Sequence, residues 1–433
     1  MFGGKNMARL KEVETVKEKA ILVGVNINDP NFEYSMEELA NLAEALDVEV
    51  LGQVTQNLER INPSHYVGKG KVSEIKNFME ETGGNLVIFN DELSPSQIRN
   101  LERELDCKVI DRTTLILDIF DRRAKTKEAK LQVELAQLQY MLPRLVGLYS
   151  SLSRQAGATG GSLRNRGLGE TKLELDRRKI EDQISRLRKE LEQIEEQRET
   201  QRKKRRKNEI PVVSLVGYTN AGKSTIMNKL IARYGHAEKE VLEKDMLFAT
   251  LDTSVRKIEL PDKKQFLLTD TVGFVSKLPH QLVKAFRSTL EEAREADLLL
   301  HVVDVSHREY PFMMDVTTRT LKEIGVENVP TIYVYNKCDL ANVPYPRVYG
   351  DDLWISAKEG KGLDELIECI RKHIFSDYHL CEMFVPFRRG DIVSYLNENA
   401  TVISSEYEEE GTRLKVELKE ADFKRFEEFV VKK

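Results

Sequence analysis

Nine consecutive residues have the types and spacing of a phosphate-binding loop, or P-loop: Gly217, Tyr218, Thr219, Asn220, Ala221, Gly222, Lys223, Ser224 and Thr225. The apolar run 212–216 precedes them and the run 226–230 follows, which gives the strand and helix that the motif requires. Its two glycines let backbone N–H groups turn towards phosphate oxygens, and the helix that begins near Lys223 directs its positive end there. A chance match in a glycine-rich turn is the alternative, and the flanking strand and helix argue against it.

The side chains of this loop suggest phosphoryl chemistry. We expect the Lys223 ammonium to reach the β and γ phosphates and the Ser224 hydroxyl to hold Mg²⁺. Downstream, the run 267–270 predicts a strand that ends in Asp-Thr-Val-Gly. There Asp270 would hold the Mg²⁺ shell through water, and the Gly273 amide would sense the γ phosphate.

The loop upstream of that strand contains a candidate for a threonine that closes on Mg²⁺. Thr250 is the preferred residue and Thr253 the nearby competitor. We therefore predict catalytic roles for Lys223, Thr250 and Gly273, and metal-binding roles for Ser224, Thr250 and Asp270.

A third motif indicates which base is bound. The run 332–335 predicts a strand followed by Asn336, Lys337 and Asp339 in an Asn-Lys-x-Asp pattern. The Asp339 carboxylate can accept hydrogen bonds from guanine N1–H and the exocyclic amino group, whereas adenine offers no such pair of donors. We expect Ser356, Ala357 and Lys358 to complete the base pocket at the end of the next strand. Motifs in this order, each at a strand's carboxyl end, predict GTP binding.

One residue departs from the common GTPase pattern. Many GTPases place Gln after the glycine of switch II to orient the attacking water, but here the residue is Phe274, which cannot make that hydrogen bond. We therefore expect slow hydrolysis by the protein alone, so that a partner, a repositioned loop or an ion must supply the positioning. Asn220 lies where related GTPases without that Gln use Asn to help coordinate K⁺, which suggests K⁺ as a further cofactor.

The sequence before the P-loop changes character near residue 112. Short apolar runs alternate with helical stretches from residue 21 to 112, which predicts a small parallel α/β domain. Capping boxes are predicted at Ser35–Glu38 and at Ser94–Gln97. The stretch 68–71, Gly-Lys-Gly-Lys, is interpreted as a structural or partner-contacting turn rather than a nucleotide site, because it lacks the rest of any fingerprint.

From about Asp121, leucines and isoleucines recur at steps of three and four over two stretches, which predicts two long antiparallel helices. The second, 172–200, would be roughly 43 Å long. Five glycines lie between residues 150 and 170, so we expect a mobile loop at the tip of a stiff arm.

Charge distinguishes this arm from the rest of the protein. Residues 121–207 hold 23 Lys and Arg against 13 Asp and Glu, or +10, while the remainder, with 44 against 59, carries −15. Arg154, Arg164 and Arg166 near the tip, opposed only by Glu170, suit a polyanion such as rRNA. The alternative is a solvated helical hairpin with a disordered linker, and the basic run 202–207 on its own is more typical of a solvated linker.

These features predict an α/β multidomain protein with four parts. They are an N-terminal parallel α/β domain (1–112), a long antiparallel helical hairpin (113–207) with a Gly-rich loop (150–170), a P-loop G domain (208–374) and a small α+β C-terminal domain (375–433). No run of the chain approaches the roughly 20 apolar residues of a membrane span, and the start lacks a signal-peptide core. We expect a cytoplasmic protein that acts as a monomer. Its four scattered cysteines indicate neither a disulfide framework nor a zinc site.

The glycine-rich arm and the nucleotide motifs together carry a family resemblance. Residues 157–178, the P-loop, the stretch 248–252 and the Asp270–Phe274 motif resemble the HflX family of translation-factor-like GTPases over nearly the whole chain. The resemblance implies binding to the large ribosomal subunit near the peptidyl transferase centre and dissociation of 70S or hibernating ribosomes under stress. Some members are also described as binding ATP through the N-terminal domain, but no motif here allows that to be carried over.

Two other functions stay open from the sequence. One is a ribosome-independent regulatory GTPase whose arm binds a protein partner. The other is a structural coiled-coil protein with a vestigial nucleotide fold, which the nearly complete set of catalytic residues disfavours.

Overall fold

The computed structural model describes residues 17–156, 164–207, 210–235, 248, 254–279 and 292–431, and only the backbone of 145–156, 164–173 and 201–207. The chain forms two compact units. The first consists of Met1–Ile119 and Pro143–Thr171, and the second of Phe120–Leu142 and Lys172–Lys433.

The first unit is built on a parallel sheet. Its strands are β1 (Lys19–Asn26), β2 (Glu49–Asn57), β3 (Leu86–Phe89) and β4 (Lys108–Asp111), and the helices of this part of the chain are α1 (Phe32–Glu44), α2 (Lys69–Thr82), α3 (Pro95–Leu105) and α4 (Arg112–Arg123). The strand order is β2-β1-β3-β4, with every pair parallel. All of β3 is buried, as expected for a strand of a parallel sheet covered on both faces. The predicted parallel α/β fold is confirmed.

One of the two predicted capping boxes is confirmed. The Ser94 backbone N–H donates to Gln97 Oε1 (2.9 Å), and the Gln97 backbone N–H donates to Ser94 Oγ (3.3 Å), with Pro95 as the first residue of α3. These bonds satisfy N–H groups that the helix start would otherwise leave without a partner. Gly68 precedes the first residue of α2, so the stretch 68–71 opens a helix.

The other predicted capping box, at Ser35, is wrong. Helix α1 begins earlier, at Phe32, and Ser35 is buried within it, where Asn90 Nδ2 donates to Ser35 Oγ (2.9 Å). Glu38 forms a buried ion pair with Arg112, and Arg112 Nη1 also donates to Asn90 Oδ1 (3.0 Å). A buried guanidinium requires a carboxylate partner, and this long-range demand places both side chains in the core.

The second unit contains a pair of antiparallel helical segments. Helix α5 covers Lys127–Ala156 and helix α6 covers Arg164–Lys207. Leu131 and Leu135 pack against Ile184 and Leu187. Polar contacts join the two helices in antiparallel order: Glu128 of α5 to Arg198 of α6 (2.7 Å), and Glu134 of α5 to Gln183 of α6 (2.6 Å). Although both helices are long, no described helix is apolar enough to cross a bilayer.

The predicted Gly-rich loop at 150–170 is wrong at both ends, because residues 150–156 and 164–170 are helical. Helix α5 continues to Ala156 and α6 starts at Arg164, so Gly167 and Gly169 lie within a helix. Each glycine costs a helix only about 1 kcal/mol relative to alanine, which the adjoining helical sequence can offset. Residues 157–163, including Gly157, Gly160 and Gly161, lie outside the described residues.

A mixed sheet of seven described strands forms the centre of the second unit. Its strands are β5 (Val212–Gly217), β6 (Ser254–Glu259), β7 (Gln265–Asp270), β8 (Leu298–Asp304), β9 (Thr331–Asn336), β10 (Arg347–Tyr349) and β11 (Asp352–Trp354), and the described helices are α7 (Lys223–Tyr234), α8 (Tyr310–Glu323) and α9 (Leu363–Ile374). The order is β10-β11-β9-β8-β5-β7-β6, and only β6 and β10 run antiparallel to their neighbours. Strands that follow β5 in sequence occupy first one side of it and then the other, so the topology reverses at β5. Ligands bind beyond the carboxyl ends of strands at such a reversal.

The C-terminal part of the second unit is a small α+β module. It contains β12 (Tyr378–Pro386), α10 (Gly390–Asn399), β13 (Thr401–Tyr407), β14 (Gly411–Lys419) and α11 (Glu420–Arg425). The strands form an antiparallel sheet in the order β12-β14-β13. Met383, Val385, Leu414 and Val416 are fully buried in its core, because alternate residues of an antiparallel sheet face inwards.

Candidate functional site

The candidate site lies at the carboxyl edge of the seven-stranded sheet, where the predicted motifs meet. The P-loop follows β5 and leads into α7, and Asp270 ends the neighbouring strand β7, in register with Leu215 of β5. Asn336 ends β9, and residues 356–358 follow β11. Carboxyl ends of parallel strands share one edge of a sheet, so residues far apart in the sequence become neighbours.

Lys223 places a buried ammonium in the P-loop. It is 6% exposed, and its Nζ donates hydrogen bonds to the carbonyl oxygens of Gly217 (3.0 Å) and Tyr218 (2.8 Å). Burial lowers the pKa of Lys223 to about 8, and the nearby Asp270 carboxylate opposes this shift. A phosphate anion beside Nζ would favour the charged form, so the site is suited to a polyphosphate ligand.

Ser224 and Asp270 bring two oxygen ligands together. Ser224 Oγ donates to Asp270 Oδ2 at 2.8 Å, and Asp270 is fully buried at the end of β7. A hydroxyl and a carboxylate are hard oxygen donors, which Mg²⁺ prefers in phosphate-binding sites. The donor set therefore fits Mg²⁺.

The candidate third member of this group, Thr250, lies outside the described residues, as does its competitor Thr253. Phe248, two residues before Thr250, is described. It has a positive φ of 54° and is buried, with its ring centroid 4.6 Å from that of Phe120 in an edge-on arrangement.

Asn336 joins three loops at the site. Its side-chain Nδ2 donates to the Ala221 carbonyl of the P-loop (2.9 Å), and its Oδ1 accepts from the Ala357 backbone N–H (3.0 Å). Gly222 lies against this amide with φ of 95°, and a Cβ there would be 2.2 Å from Asn336 Nδ2. Glycine is therefore required at position 222 for both its backbone conformation and its lack of a side chain.

The predicted base-recognition residues form a second cluster beside that amide. Ser356 Oγ donates to Asp339 Oδ1 at 2.6 Å, which orients the carboxylate. Lys337, with φ of 63°, pairs with Asp304 at 2.7 Å. Asp304 ends β8 and also accepts from the Ser306 backbone N–H (3.0 Å).

Three of the predicted residues make no such side-chain contact with another described residue. Asn220 and Lys358 are exposed, Asn220 with φ of 59°, and Thr225 is half-buried in the first turn of α7. Phe274 is 2% exposed, so its ring is part of the packed interior. Asn220 lies in the P-loop, Thr225 at the start of α7 and Lys358 after β11, and the contacts of these three residues with a nucleotide stay predictions.

Two residues near the site were not identified from the sequence. Asp304 could have been noticed as a carboxylate at a strand's carboxyl end. His301 lies inside β8, in register with Val216, and is 2% exposed. Burial first, and then the charge of Lys223, lower the pKa of His301 to about 4, so the imidazole is neutral near pH 7. A single histidine within an apolar strand gives no sequence pattern that would indicate a place near the site.

Comparisons with known proteins agree with this geometry. Residues 33–121 match a family model described as "GTP-binding GTPase N-terminal", residues 123–205 one described as "GTP-binding GTPase Middle Region", and residues 212–337 one described as "50S ribosome-binding GTPase". Together these models cover most of the chain.

Curated relatives match over most of their length. The GTPase HflX of Caldanaerobacter subterraneus subsp. tengcongensis is 47% identical over 94% of this chain and 93% of the relative. The GTPase HflX of Escherichia coli K12 is 39% identical over 94% of this chain and 95% of the relative. Among solved structures, a GTP-binding protein of Sulfolobus solfataricus in complex with GDP is 26% identical, covering 83% of this chain and 99% of that chain with a TM-score of 0.43.

The sequence relatives and the family models carry the assignment, and the P-loop, the Asp270 motif and the Asn336 motif supply the chemistry that such proteins need. The chain therefore belongs to the HflX family of GTPases and is a GTP hydrolase.

Proposed function

We propose that this GTPase binds the large ribosomal subunit and dissociates 70S or hibernating ribosomes under stress. The observation that carries the proposal is the match of residues 212–337 to the family of 50S ribosome-binding GTPases, in a chain that also has a basic helical arm. The proposed partner would place the protein in the cytoplasm, where we expect it to act as a monomer.

The helical arm supports contact with RNA. An apolar interface stabilises the pairing of the two helices. It includes Leu131, Leu135, Ile184 and Leu187. Arg154, Arg164 and Arg166 lie in the helical stretches on either side of 157–163. Their charges suit the phosphates of rRNA, and such binding weakens with added salt because counterions are released.

In the nucleotide site each residue has a role that follows from its contacts. Lys223, now bonded to two carbonyls, would transfer its hydrogen bonds to the β and γ phosphates. Ser224 and Asp270 would hold Mg²⁺, with Thr250 closing on it when GTP is bound. The Gly273 N–H would bind the γ phosphate. Mg²⁺, when bound, would neutralise charge on the β and γ oxygens.

Base recognition would rest on the carboxylate that Ser356 orients. Asp339 would accept from guanine N1–H and the amino group, while Lys337 and the backbone of 356–358 flank the ring. This arrangement rejects adenine because adenine cannot supply both donors.

Hydrolysis requires help at the position of Phe274. The buried phenyl ring cannot orient water, so we propose slow turnover that a partner stimulates. Asn220, exposed on the P-loop, would coordinate K⁺ beside the phosphates, and the ion would supply part of the missing positioning.

The variant Asp339→Asn should lower GTP affinity roughly 100-fold and shift preference towards xanthosine triphosphate. An amide N–H matches the carbonyl that replaces the amino group of guanine, whereas it opposes the guanine donor. Competition binding with both triphosphates measures the shift. Asp315→Asn, an exposed position on α8, is the control. Unchanged base preference would show that the base lies elsewhere.

Ser224→Ala should raise the Mg²⁺ concentration for half-maximal turnover roughly tenfold or more, because one oxygen ligand is lost. Lys223→Ala should instead lower kcat roughly 100-fold or more at saturating Mg²⁺. Magnesium titrations of GTP hydrolysis separate the two defects. Thr320→Ala, which removes a hydroxyl bonded to its own helix, should behave as the parent. Parent-like titrations in both site variants would contradict the assignment.

Potassium should stimulate GTP turnover several-fold more than sodium at equal ionic strength. Asn220→Ala should remove that difference, because the side-chain oxygen is the proposed ligand. Steady-state hydrolysis in the two chlorides is the measurement. Equal rates for the parent protein would exclude a potassium site at Asn220.

Replacing residues 157–169 with a short neutral turn should abolish binding to the large subunit and dissociation of 70S ribosomes. Light scattering measures the dissociation. GTP affinity should be unchanged, because the nucleotide site is built from other residues. An arm variant that still splits ribosomes at the parent rate would show that residues 157–169 serve only as a linker.

A charge-matched pair sharpens this test. Substituting Arg154, Arg164 and Arg166 by Gln should weaken subunit binding and reduce its salt dependence. Substituting Arg186, Arg188 and Lys189 by Gln, which are exposed on the shaft of α6, removes the same charge and should have a smaller effect.

A further inference from the structure

The segment after Asp270 runs alongside the P-loop and extends the sheet beyond its regular strands. Pairing of β5 with β7 ends at Leu215 and Asp270, but a further parallel bridge joins Tyr218 to Phe274. The Phe274 backbone N–H donates to the Gly217 carbonyl (3.2 Å), and the Thr219 backbone N–H donates to the Phe274 carbonyl (2.8 Å). Residues 273–276, called the switch segment here, are therefore tied to the P-loop by backbone bonds.

The switch segment lies close to the Lys223 ammonium. A Cβ added to Gly273 would be 2.8 Å from Thr219 Cα and 3.0 Å from Lys223 Nζ. The Gly273 backbone thus lies directly against the P-loop. In this closed arrangement the Phe274 carbonyl accepts the Thr219 N–H, so that P-loop N–H is not available to a phosphate oxygen.

A side chain makes a third tie. The Tyr218 hydroxyl accepts a hydrogen bond from the Ser276 backbone N–H at 2.6 Å, and Tyr218 is only 4% exposed. Phe274, Val275 and Ser276 are all buried around it. Because this bond belongs to a side chain, a single substitution can remove it while the backbone bonds are retained.

We propose that Tyr218 determines nucleotide-state specificity: its hydroxyl holds the switch segment against the P-loop, and this closed form favours GDP over GTP. The inference rests on the proposed roles of Lys223 and Gly273 in phosphate binding. The Tyr218 hydrogen bond would then contribute to the free energy needed to open the switch segment, which binding of a γ phosphate must overcome.

The direction of the effect follows from linkage. A γ phosphate requires Gly273 to turn its N–H towards it, so GTP binds the open form of the switch segment. GDP has no γ phosphate and can bind the closed form. The apparent Kd for GTP therefore equals the intrinsic Kd divided by the open fraction, and any change that raises this fraction tightens GTP binding alone.

The test is the variant Tyr218→Phe, which keeps the ring and removes the hydroxyl. We expect the Kd of a non-hydrolysable GTP analogue to fall roughly three- to tenfold, the range for loss of the hydrogen bond to Ser276, with the Kd of GDP unchanged within about twofold. The ratio of the two constants is the readout, since a general loss of packing would weaken both ligands together. Tyr234→Phe, whose hydroxyl donates to Asp364 (3.3 Å) outside the P-loop, is the matched control and should leave the ratio unchanged.

Hydrogen exchange supplies an independent measurement on the parent protein. Amides of the switch segment should exchange slowly without nucleotide and with GDP, and faster at Ser276 in Tyr218→Phe. An unchanged ratio of affinities in Tyr218→Phe, with both nucleotides still bound, would overturn the inference and leave the proposed function intact. A parent protein that binds neither nucleotide would instead refute the proposed nucleotide site itself.

Discussion

The nucleotide site depends on one buried amide. Asn336 donates to the Ala221 carbonyl and accepts from the Ala357 N–H, so it fixes the P-loop, the end of β9 and the loop after β11 in one arrangement. Because the amide is 2% exposed, losing either bond would leave a buried polar group without its partner, which costs roughly 1–3 kcal/mol. Gly222 must lack a side chain for that amide to fit.

Near Asn336, the Lys223 ammonium is placed so that a bound phosphate would balance its charge. Lys223 is buried, its Nζ donates to two carbonyls among the described residues, and its pKa is lowered, while the neighbouring His301 is neutral because of the same burial. A second cation beside Lys223 is thereby avoided. The ammonium can act on phosphate oxygens in surroundings of low dielectric constant, where its field is less screened than in water. Phe274 supplies no side chain that positions the attacking water, so the proposed hydrolysis would depend on a partner, a repositioned loop or an ion.

The sequence predicted those parts of the site that are set by neighbouring residues. The P-loop, the Asp270 motif and the Asn336 motif each consist of residues close together in the sequence, and each follows an apolar run that marks a strand. Features that depend on distant partners were missed. Ser35 and Glu38 have the spacing of a helix cap, but the buried Arg112 places them inside the helix. The tie between Tyr218 and Ser276 joins residues 58 positions apart, and no local pattern predicts it.

If the protein binds the large ribosomal subunit as proposed, and GTP orders the switches while hydrolysis releases them, nucleotide state should control that binding. Co-sedimentation of the parent protein with purified large subunits, in a non-hydrolysable GTP analogue and in GDP, tests it most directly. The account predicts that the protein pellets with the subunit in the GTP-like state and stays largely in the supernatant with GDP. Equal binding in both states would contradict it. Absence of binding in both states would also contradict it and would favour a ribosome-independent GTPase whose arm binds a protein partner.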